Sequence, residues 1–330
     1  MATIAVTDQE FDKAKEVFRA SVSAGHECVR VPGREESLAD GVREHGARHV
    51  IVGVASYGNR LYDALSRGGV IARFGVGHDG IDKALASKRG LLCTNTPGAL
   101  DDSVAEHTMG LILSAARGLT ALAQATRTGD WRSEIGTELR DKTLAVIGCG
   151  AIGNRVARMA SFGLSMRVVG CEVAAVDTAR LKRQWGYVAV VSEFAEAADA
   201  DFVTLHIPAS LSTRRYIDRG RLSVLPERAW LINTARGSVV DESALFDALA
   251  GGHLAGAALD VFEREPYEPV TPAKDLRTLE NVIMTPHVAS STREACRRMA
   301  ERALHNIRLA EAGRYDEMDL LNPDVCHQDE

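Results

Sequence analysis

The chain has 330 residues, of which 45% are hydrophobic and 25% charged, and a formal net charge of -6 at pH 7. This composition is typical of a globular protein, and the length favours two domains. The net charge gives no electrostatic signature of nucleic-acid binding, so we expect a small-molecule ligand and no nucleic-acid partner.

The first hundred residues alternate short apolar strands with amphipathic helical stretches. Strands are predicted at 3–6, 28–31, 49–54, 70–74 and 91–94, and helices at 10–20 and 36–46. This alternation is typical of a small parallel sheet. Pro97 and Gly98 then interrupt the pattern, and Ser103 is predicted as the N-cap of a long apolar helix that leads into a second domain.

A second and longer alternation begins at Leu144. Its strands are predicted at 144–148, 167–171, 188–191, 202–207, 230–235, 256–262 and 282–286, and its helices at 152–162, 177–185, 193–199 and 242–250. So many βα units predict a doubly wound sheet. The amphipathic segment 292–310 comes too late in the chain to start another domain, so it is predicted to complete the N-terminal one.

The predicted fold class is therefore α/β, with two doubly wound parallel-sheet domains. A Rossmann cofactor domain, 103–290, is inserted in a flavodoxin-like substrate domain, 1–102 plus 291–330. No apolar run is long enough to cross a bilayer, so we expect a cytoplasmic protein with no membrane partner. The six cysteines form no C-x-x-C pair, which favours reduced thiols and no metal site.

A glycine-rich turn follows the strand that begins at Leu144. Gly148, Gly150 and Gly153 form a G-x-G-x-x-G pattern between this strand and a helix. In this context the first glycine makes a tight turn, the second lets a pyrophosphate approach the backbone, and the third lets helix and strand pack closely. The turn therefore predicts a dinucleotide cofactor.

Glu172 selects between the two nicotinamide dinucleotides. It ends the next strand, close to the spacing of about 20 residues expected for the carboxylate that binds the adenosine ribose. A carboxylate there repels a 2'-phosphate, so NAD is favoured over NADP. Arg180 and Arg183 lie just beyond and leave a phosphate contact as the alternative.

Three residues downstream of the turn predict hydride-transfer chemistry. They are Arg236 in N-T-A-R-G-S, Glu265 in D-V-F-E-R-E-P and His287 in T-P-H-V-A-S. Arginine can pair with a carboxylate through two hydrogen bonds, and imidazole exchanges a proton near neutral pH. Glu265 is predicted to hold the second imidazole nitrogen, whereas Glu263 is assigned to solvent.

The same segments carry a resemblance to a known family, the D-isomer-specific 2-hydroxyacid dehydrogenases. The resemblance covers essentially the whole chain. Its segments, in chain order, are G-V-G-H-D-G-I-D, T-G-D-W, G-C-G-A-I-G, L-H-I-P-A-S-L-S-T-R, I-N-T-A-R-G-S-V-V-D-E-S-A-L, G-A-A-L-D-V-F-E-R-E-P and N-V-I-M-T-P-H-V-A-S-S-T. It implies an NAD-dependent oxidoreductase that interconverts 2-hydroxy and 2-oxo acids, as a homodimer formed through the NAD domain.

The resemblance also implies further site residues. Arg236 clamps the substrate carboxylate, and His287 is the general acid and base paired with Glu265. The other implied cofactor contacts are Ala151 and Ile152 at the pyrophosphate, Ile207, Pro208 and Thr213 on the adenine and ribose side, Thr234 and Ala235 beneath the cofactor, Asp260 at the carboxamide, and Thr108. The amides of Val76 and Gly77 are implied to bind the substrate carboxylate.

The chain departs from the family pattern on the substrate side. His78 and Gly80 replace the usual valine-like and asparagine positions, and A-S-Y-G-N-R stands where relatives often place R-S-x-T-K. The missing lysine argues against a glycerate-type or phosphoglycerate substrate. Ser56, Tyr57 and Arg60 are predicted to shape a different polar pocket, and the substituent on the substrate stays open.

Two alternative functions remain at this stage. The same fold and the same three residues occur in NADH-sensing transcriptional corepressors, which are binding proteins first. Related dehydrogenases act on other acidic substrates, namely a phosphonate, phosphite or formate. A long disordered tail and a peptide groove would favour the corepressor, and neither is evident in the sequence.

Overall fold

The computed structural model describes residues 2–327, so Met1 and residues 328–330, at the ends of the predicted domain ranges, lie outside the described residues. The chain forms two compact units. Unit 1 contains residues up to Leu100 together with those from Ser290 onward, and unit 2 contains Asp101–Ala289. The predicted assignment of substrate to the first and cofactor to the second stays a prediction.

Unit 1 is built on a five-stranded parallel sheet with the order β2-β1-β3-β4-β5. This is the flavodoxin-like order that the sequence predicts. Its strands are β1 (Ala2–Thr7), β2 (His26–Val31), β3 (His49–Val52), β4 (Val70–Arg73) and β5 (Leu92–Thr94). Its helices are α1 (Asp8–Lys13), α2 (Lys15–Ala20), α3 (Glu35–Glu44), α4 (Asn59–Ala64), α5 (Lys83–Lys88) and, from the C-terminal segment, α13 (Arg293–Glu311).

The C-terminal segment is attached to unit 1 by polar contacts as well as by α13. The side chain of Asn322 accepts a hydrogen bond from the Cys93 amide at 2.8 Å and donates one to the Leu91 carbonyl at 2.9 Å. Asn322 is buried, so these bonds form away from water. The C-terminus therefore completes the fold of the N-terminal unit.

Unit 2 is built on a seven-stranded parallel sheet with the order β12-β11-β10-β9-β6-β7-β8. Its strands are β6 (Thr143–Ile147), β7 (Arg167–Cys171), β8 (Tyr187–Val191), β9 (Phe202–Leu205), β10 (Trp230–Asn233), β11 (Gly256–Leu259) and β12 (Val282–Met284). Its helices are α6 (Asp101–Arg117), α7 (Leu119–Arg127), α8 (Ala151–Arg158), α9 (Thr178–Trp185), α10 (Phe194–Ala197), α11 (Arg219–Ser223) and α12 (Glu242–Ala250).

This order is that of a Rossmann sheet with one additional strand. The strand order reverses between β6 and β9, and ligands of open α/β sheets bind at that point, outside the carboxyl ends of the strands. The central strands β6, β9, β10 and β11 are almost completely buried, which explains their nearly continuous apolar runs in the sequence. Both predicted doubly wound domains are present.

Three local predictions were wrong. Helix α6 begins at Asp101 rather than after Ser103, because Arg155 pairs with the carboxylates of both Asp101 and Asp102 and an acidic first turn is favourable in a helix. The predicted helix 10–20 is divided at Ala14, whose φ of -137° and ψ of 37° are not helical. The predicted helix 152–162 ends in a π turn at Met159–Gly163.

Candidate active site

The glycine-rich turn lies at the reversal point of the unit 2 sheet. Gly148 has a φ of 97°, and its amide donates to the Cys171 carbonyl at 2.9 Å. A Cβ on Gly153 would lie 2.1 Å from the Gly148 carbonyl oxygen, so only glycine fits there. A Cβ on Gly150 would meet no heavy atom within 4 Å. The turn thus leaves open space at the N-terminus of α8, where an anion is favoured.

Glu172 lies beside this turn at the carboxyl end of β7. One of its carboxylate oxygens accepts from the Cys149 amide at 3.0 Å, and the other accepts from the Ala174 amide at 3.1 Å. The carboxylate therefore stays close to the glycine turn. Arg180, the alternative phosphate ligand, donates to the Gln184 side chain at 3.0 Å along α9.

Arg236 follows the carboxyl end of β10. The buried side chain of Asn233 fixes the backbone here, because it accepts from the Ala235 amide at 3.0 Å and donates to the Arg236 carbonyl at 2.9 Å. The Arg236 guanidinium donates to the Ala235 carbonyl at 2.7 Å. A short loop with a fixed backbone thus carries the guanidinium, which suits a group that must orient an anion.

His287 and Glu265 form a hydrogen-bonded pair. Nδ1 of His287 lies 2.6 Å from a carboxylate oxygen of Glu265, whose other oxygen accepts from the Phe262 amide at 3.0 Å. His287 has a φ of 54°, a left-handed conformation that non-glycine residues seldom adopt. Its amide donates to the Asp260 carbonyl at 2.8 Å. The imidazole is thereby oriented with Nε2 available for proton exchange.

Asp260 holds the turn that carries His287. It is fully buried, and its carboxylate accepts from the Thr285 hydroxyl at 2.6 Å and from the amides of Val288 and Ala289 at 2.9 and 2.8 Å. Burial acts to raise the pKa of Asp260, but these hydrogen bonds and one from His107 outweigh it and hold the pKa below its usual range. A contact with the cofactor carboxamide stays a prediction.

The other predicted cofactor residues fall into three groups. The first lies at the start of α8, and the second is the loop after β9, where the Thr213 hydroxyl donates to the Pro208 carbonyl at 2.6 Å. In the third, Thr108 and Thr234 are buried with their hydroxyls 2.9 Å apart, and Ala235 is partly buried. The members are, in that order, Ala151 and Ile152; Ile207, Pro208 and Thr213; and Thr108, Thr234 and Ala235.

The predicted substrate loop lies in unit 1, after β4. The Val76 carbonyl accepts from Asn95 at 2.7 Å, and the Gly77 carbonyl accepts from the buried Arg73 at 2.9 Å. The bond to the Val76 carbonyl fixes the peptide plane that contains the Gly77 amide. The plane that contains the Val76 amide is fixed by the Gly75 carbonyl, which accepts from the Thr96 amide at 3.0 Å. Whether these amides bind the substrate stays a prediction.

The neighbouring loop explains one departure from the family pattern. A Cβ on Gly80 would lie 2.7 Å from the Ala55 carbonyl oxygen, so the asparagine usual in the family would not fit. Tyr57 is buried and donates to the Gly33 carbonyl at 3.2 Å, whereas Ser56 is exposed. Arg60 is exposed as well and pairs with Glu36 at 2.7 Å, so of the three predicted pocket residues only Tyr57 is buried.

The assignment of Glu263 to solvent was wrong. Its side chain is only 13% exposed and pairs with Arg215 at 3.6 Å, and its backbone amide donates to the carboxylate of Glu242. Glu242 was not predicted as a site residue. The acidic residue that opens α12, directly after the N-cap Asp241, was the available signal, but an exposed first-turn glutamate has the same sequence pattern.

His206 has a structural position. Its ring nitrogen lies 3.0 Å from the Thr204 hydroxyl, and burial lowers its pKa to about 3. A neutral imidazole is therefore expected there at any physiological pH. In residues 2–327, no cluster of three side chains is arranged to hold a metal ion, and no helix is long and apolar enough to cross a membrane.

Comparison with known proteins identifies the family. Residues 109–289 match the model of the D-isomer specific 2-hydroxyacid dehydrogenase NAD binding domain. A glyoxylate reductase of Thermofilum pendens is 38% identical over 86% of this chain and 83% of its own length. The chain belongs to the D-isomer-specific 2-hydroxyacid dehydrogenase family. Its class is that of the oxidoreductases that act on the CH–OH group of 2-hydroxy acids.

Solved structures agree with this membership. The NADPH-dependent glyoxylate/hydroxypyruvate reductase of Sinorhizobium meliloti, in complex with NADP and malonate, has a TM-score of 0.76 at 30% identity and covers 93% of each chain. A D-lactate dehydrogenase of Aquifex aeolicus, in complex with NAD and lactic acid, has a TM-score of 0.82 at 26% identity and covers 97% of this chain and 99% of its own. Members with either dinucleotide thus share the fold.

Proposed function

We propose that this family member reduces a small 2-oxo acid to the D-2-hydroxy acid with NADH and catalyses the reverse oxidation with NAD. The observation that carries the proposal is the 2.6 Å contact between Nδ1 of His287 and Glu265. A carboxylate on one ring nitrogen leaves the other to give a proton to a substrate oxygen.

Each residue of the site has a distinct part in this reaction. Arg236 pairs with the substrate carboxylate and orients the 2-carbonyl. His287 gives a proton from Nε2 to the carbonyl oxygen during reduction and takes it back during oxidation, while Glu265 stabilises the imidazolium. A nicotinamide dinucleotide held at the glycine turn would supply the hydride in reduction and accept it in oxidation. One proton and one hydride convert C=O to CH–OH.

The residues around the glycine turn fit a dinucleotide. The open space at Gly150 accommodates the pyrophosphate, while Gly148 and Gly153 permit the tight turn and the close packing of α8 on which that space depends. Glu172, positioned by two amides of the surrounding loops, is proposed to accept from the ribose hydroxyls and so to favour NAD. The engagement of Arg180 with Gln184 supports this choice over NADP.

The relatives suggest the substrate class. Glyoxylate and hydroxypyruvate, the substrates in their names, are 2-oxo acids with small substituents. We infer a small 2-oxo acid here too, bound through the Val76 and Gly77 amides and shaped by Ser56. The replacement of the usual asparagine by Gly80 distinguishes this loop from the family pattern.

We further infer a homodimer formed through the cofactor unit, in the cytoplasm. In support, Trp131 and Ile135 are almost completely exposed, and α7 beside them buries none of its side chains within the monomer. Large exposed apolar side chains mark association surfaces. The free and mostly buried cysteines support a reducing compartment.

The proposal is tested by the loss of NADH absorbance with glyoxylate, hydroxypyruvate, pyruvate and branched 2-oxo acids, each repeated with NADPH. Formate and phosphite are included with NAD to test the related acidic substrates. Turnover of a 2-oxo acid with preference for NADH is expected. Tight NADH binding without turnover of any substrate would instead indicate a corepressor-like sensor and overturn the proposal.

A further inference from the structure

A buried carboxyl group lies behind the His287–Glu265 pair. Glu242, the first residue of α12, is 5% exposed. Its carboxylate accepts from the Glu263 backbone amide, and its own amide lies 3.4 Å from the Glu263 carboxylate, to which it donates. Each residue therefore donates its backbone amide to the side chain of the other. These two hydrogen bonds attach the segment 262–265 to the start of α12.

The second oxygen of Glu242 has no hydrogen-bond partner among the residues that the structure describes, although it is buried. The charged groups that face this carboxyl are Glu263, Glu265 and Arg264, and Arg215 lies against Glu263. Burial raises the pKa of Glu242 to about 7, with the neighbouring carboxylates adding to the effect. A carboxyl that is protonated about half of the time near pH 7 repels Glu265 less than a fully ionised carboxylate would.

The same segment is packed against the loop of Arg236. A Cβ on Gly237 would lie 1.9 Å from the carbonyl carbon of Phe262 and 2.4 Å from the Glu263 nitrogen. The backbone after Arg236 thus touches the backbone before Glu265. A shift of the Glu263 backbone would therefore displace both Arg236 and Glu265, because the packed backbone leaves no free space to absorb the shift.

We propose that Glu242 is a positioning residue for the reaction proposed above: by holding the Glu263 amide, it keeps the Glu265 carboxylate on Nδ1 of His287. Glu263 and Glu265 are only two residues apart in the chain. The Phe262 amide, directly before Glu263, donates to the Glu265 carboxylate and so fixes the position of that side chain. The Arg215–Glu263 ion pair is a weak substitute, because the arginine side chain is 46% exposed and screened by water.

The test compares three variants with the wild type. Glu242→Ala removes the acceptor of the Glu263 amide, and Glu242→Gln keeps it. Leu245→Ala, at a fully buried position of the same helix, reproduces destabilisation of α12 without touching Glu263. Glu242→Ala should lower kcat for 2-oxo acid reduction by about 10- to 100-fold, as misplacement of a catalytic group does. The KM for NADH should change less than about 3-fold, since the glycine turn is untouched.

The conservative variant and the control decide between positioning and simple destabilisation. Glu242→Gln should keep kcat within about 3-fold of the wild type, since its amide oxygen still accepts from Glu263. Leu245→Ala should do the same at a temperature where it stays folded. An unchanged kcat and pH profile in folded Glu242→Ala, or an equal loss in Leu245→Ala, would overturn the proposal.

A second measurement does not depend on turnover and separates this inference from the proposed function. Nitrogen-15 NMR of histidine-labelled protein, with His287 assigned by its substitution, reports which ring nitrogen carries the proton. The wild type and Glu242→Gln should show His287 protonated at Nδ1, and Glu242→Ala should show mixed tautomers. An unchanged tautomer in Glu242→Ala refutes the positioning role even if no substrate is found. Absent 2-oxo acid turnover in a wild type with the expected tautomer refutes only the proposed function.

Discussion

Nδ1 of His287 lies 2.6 Å from the carboxylate of Glu265, and the Phe262 amide occupies the other oxygen of that carboxylate. Both oxygens are therefore committed to the protein. For the proposed reaction, this arrangement would fix the imidazole tautomer before a substrate arrives and lower the reorganisation needed in the transition state. The remaining nitrogen is the one that can exchange a proton with a substrate.

The role of Arg236 predicts a combined effect on binding and turnover. Arg236→Lys keeps the charge but loses the planar pair of donors, so KM for the 2-oxo acid should rise and kcat should fall together. Steady-state kinetics at saturating NADH checks this. Lysine at the exposed Arg219 serves as the control for arginine replacement in the same unit. Unchanged kinetics in Arg236→Lys would contradict the proposal that Arg236 binds the substrate carboxylate through two hydrogen bonds.

The open space at Gly150 predicts a selective loss of cofactor binding. Alanine at position 150 meets no protein atom within 4 Å, so the fold should be retained. Its methyl group occupies the space assigned to the pyrophosphate, so the Kd for NADH should rise by at least about 10-fold. Gly163→Ala, equally free of contacts, is the matched control. Equal NADH affinity in both variants, measured by fluorescence titration, would exclude this turn as the pyrophosphate site.

Glu172 predicts the choice of dinucleotide. Glu172→Ser removes an acceptor for the ribose hydroxyls and the repulsion of a 2'-phosphate, so discrimination against NADP should narrow by about 1 to 3 kcal/mol. The measurement is kcat/KM with NADH and NADPH for the wild type, Glu172→Ser and Glu196→Ser, the last a control on the exposed face of α10. Equal use of both cofactors by the wild type would contradict the assignment.

The buried Glu242 predicts a pH-dependent contribution to stability. Its pKa is raised from 4.5 to about 7, so the folded state binds more protons than the unfolded state between these values. Its contribution is therefore greatest below pH 4.5 and falls as the pH rises to 7. The free energy of unfolding of the wild type, measured relative to that of Glu242→Gln, which does not titrate at this position, should fall by about 3 kcal/mol between pH 4.5 and pH 7.

Urea unfolding at pH 4.5, 6 and 8 measures this difference. The exposed substitution Glu196→Gln controls for the loss of one charge. If the difference in the free energy of unfolding between wild type and Glu242→Gln stays constant with pH, Glu242 is ionised in the folded protein, as an ordinary surface carboxylate is.

Most of the fold follows from local sequence patterns. The strands of both sheets are short apolar runs between turns, and a parallel sheet covered on both faces produces that pattern directly. The start of α6 did not follow, because Asp101 and Asp102 are stabilised there by Arg155, which lies about fifty residues later. Helix boundaries that depend on such distant partners have no local signal.

Some residues of the candidate site can be recognised from the sequence, and others cannot. Arg236, Glu265 and His287 are recognisable because each lies in a distinctive segment after an apolar strand. Glu242 and Glu263 are not, because a glutamate at a helix start and one in a loop are usually solvated. In the folded protein these two residues are joined by reciprocal backbone-to-carboxylate hydrogen bonds, which local sequence does not reveal.

The measurement that tests the account most directly is a double-mutant cycle on His287 and Glu265, with kcat for 2-oxo acid reduction as the readout. His287→Gln should lower kcat by about 10²- to 10⁴-fold with a modest change in KM. Glu265→Gln should lower kcat less, because the imidazole remains in place and loses only the carboxylate that stabilises its protonated form.

If the two residues act as one acid-base unit, the double variant should be barely slower than His287→Gln alone, since Glu265 acts through the imidazole. A loss in the double variant equal to the sum of the two single losses, expressed as activation free energies, would show that they act independently. That result would contradict the central claim that the 2.6 Å contact between His287 and Glu265 is the catalytic acid-base pair.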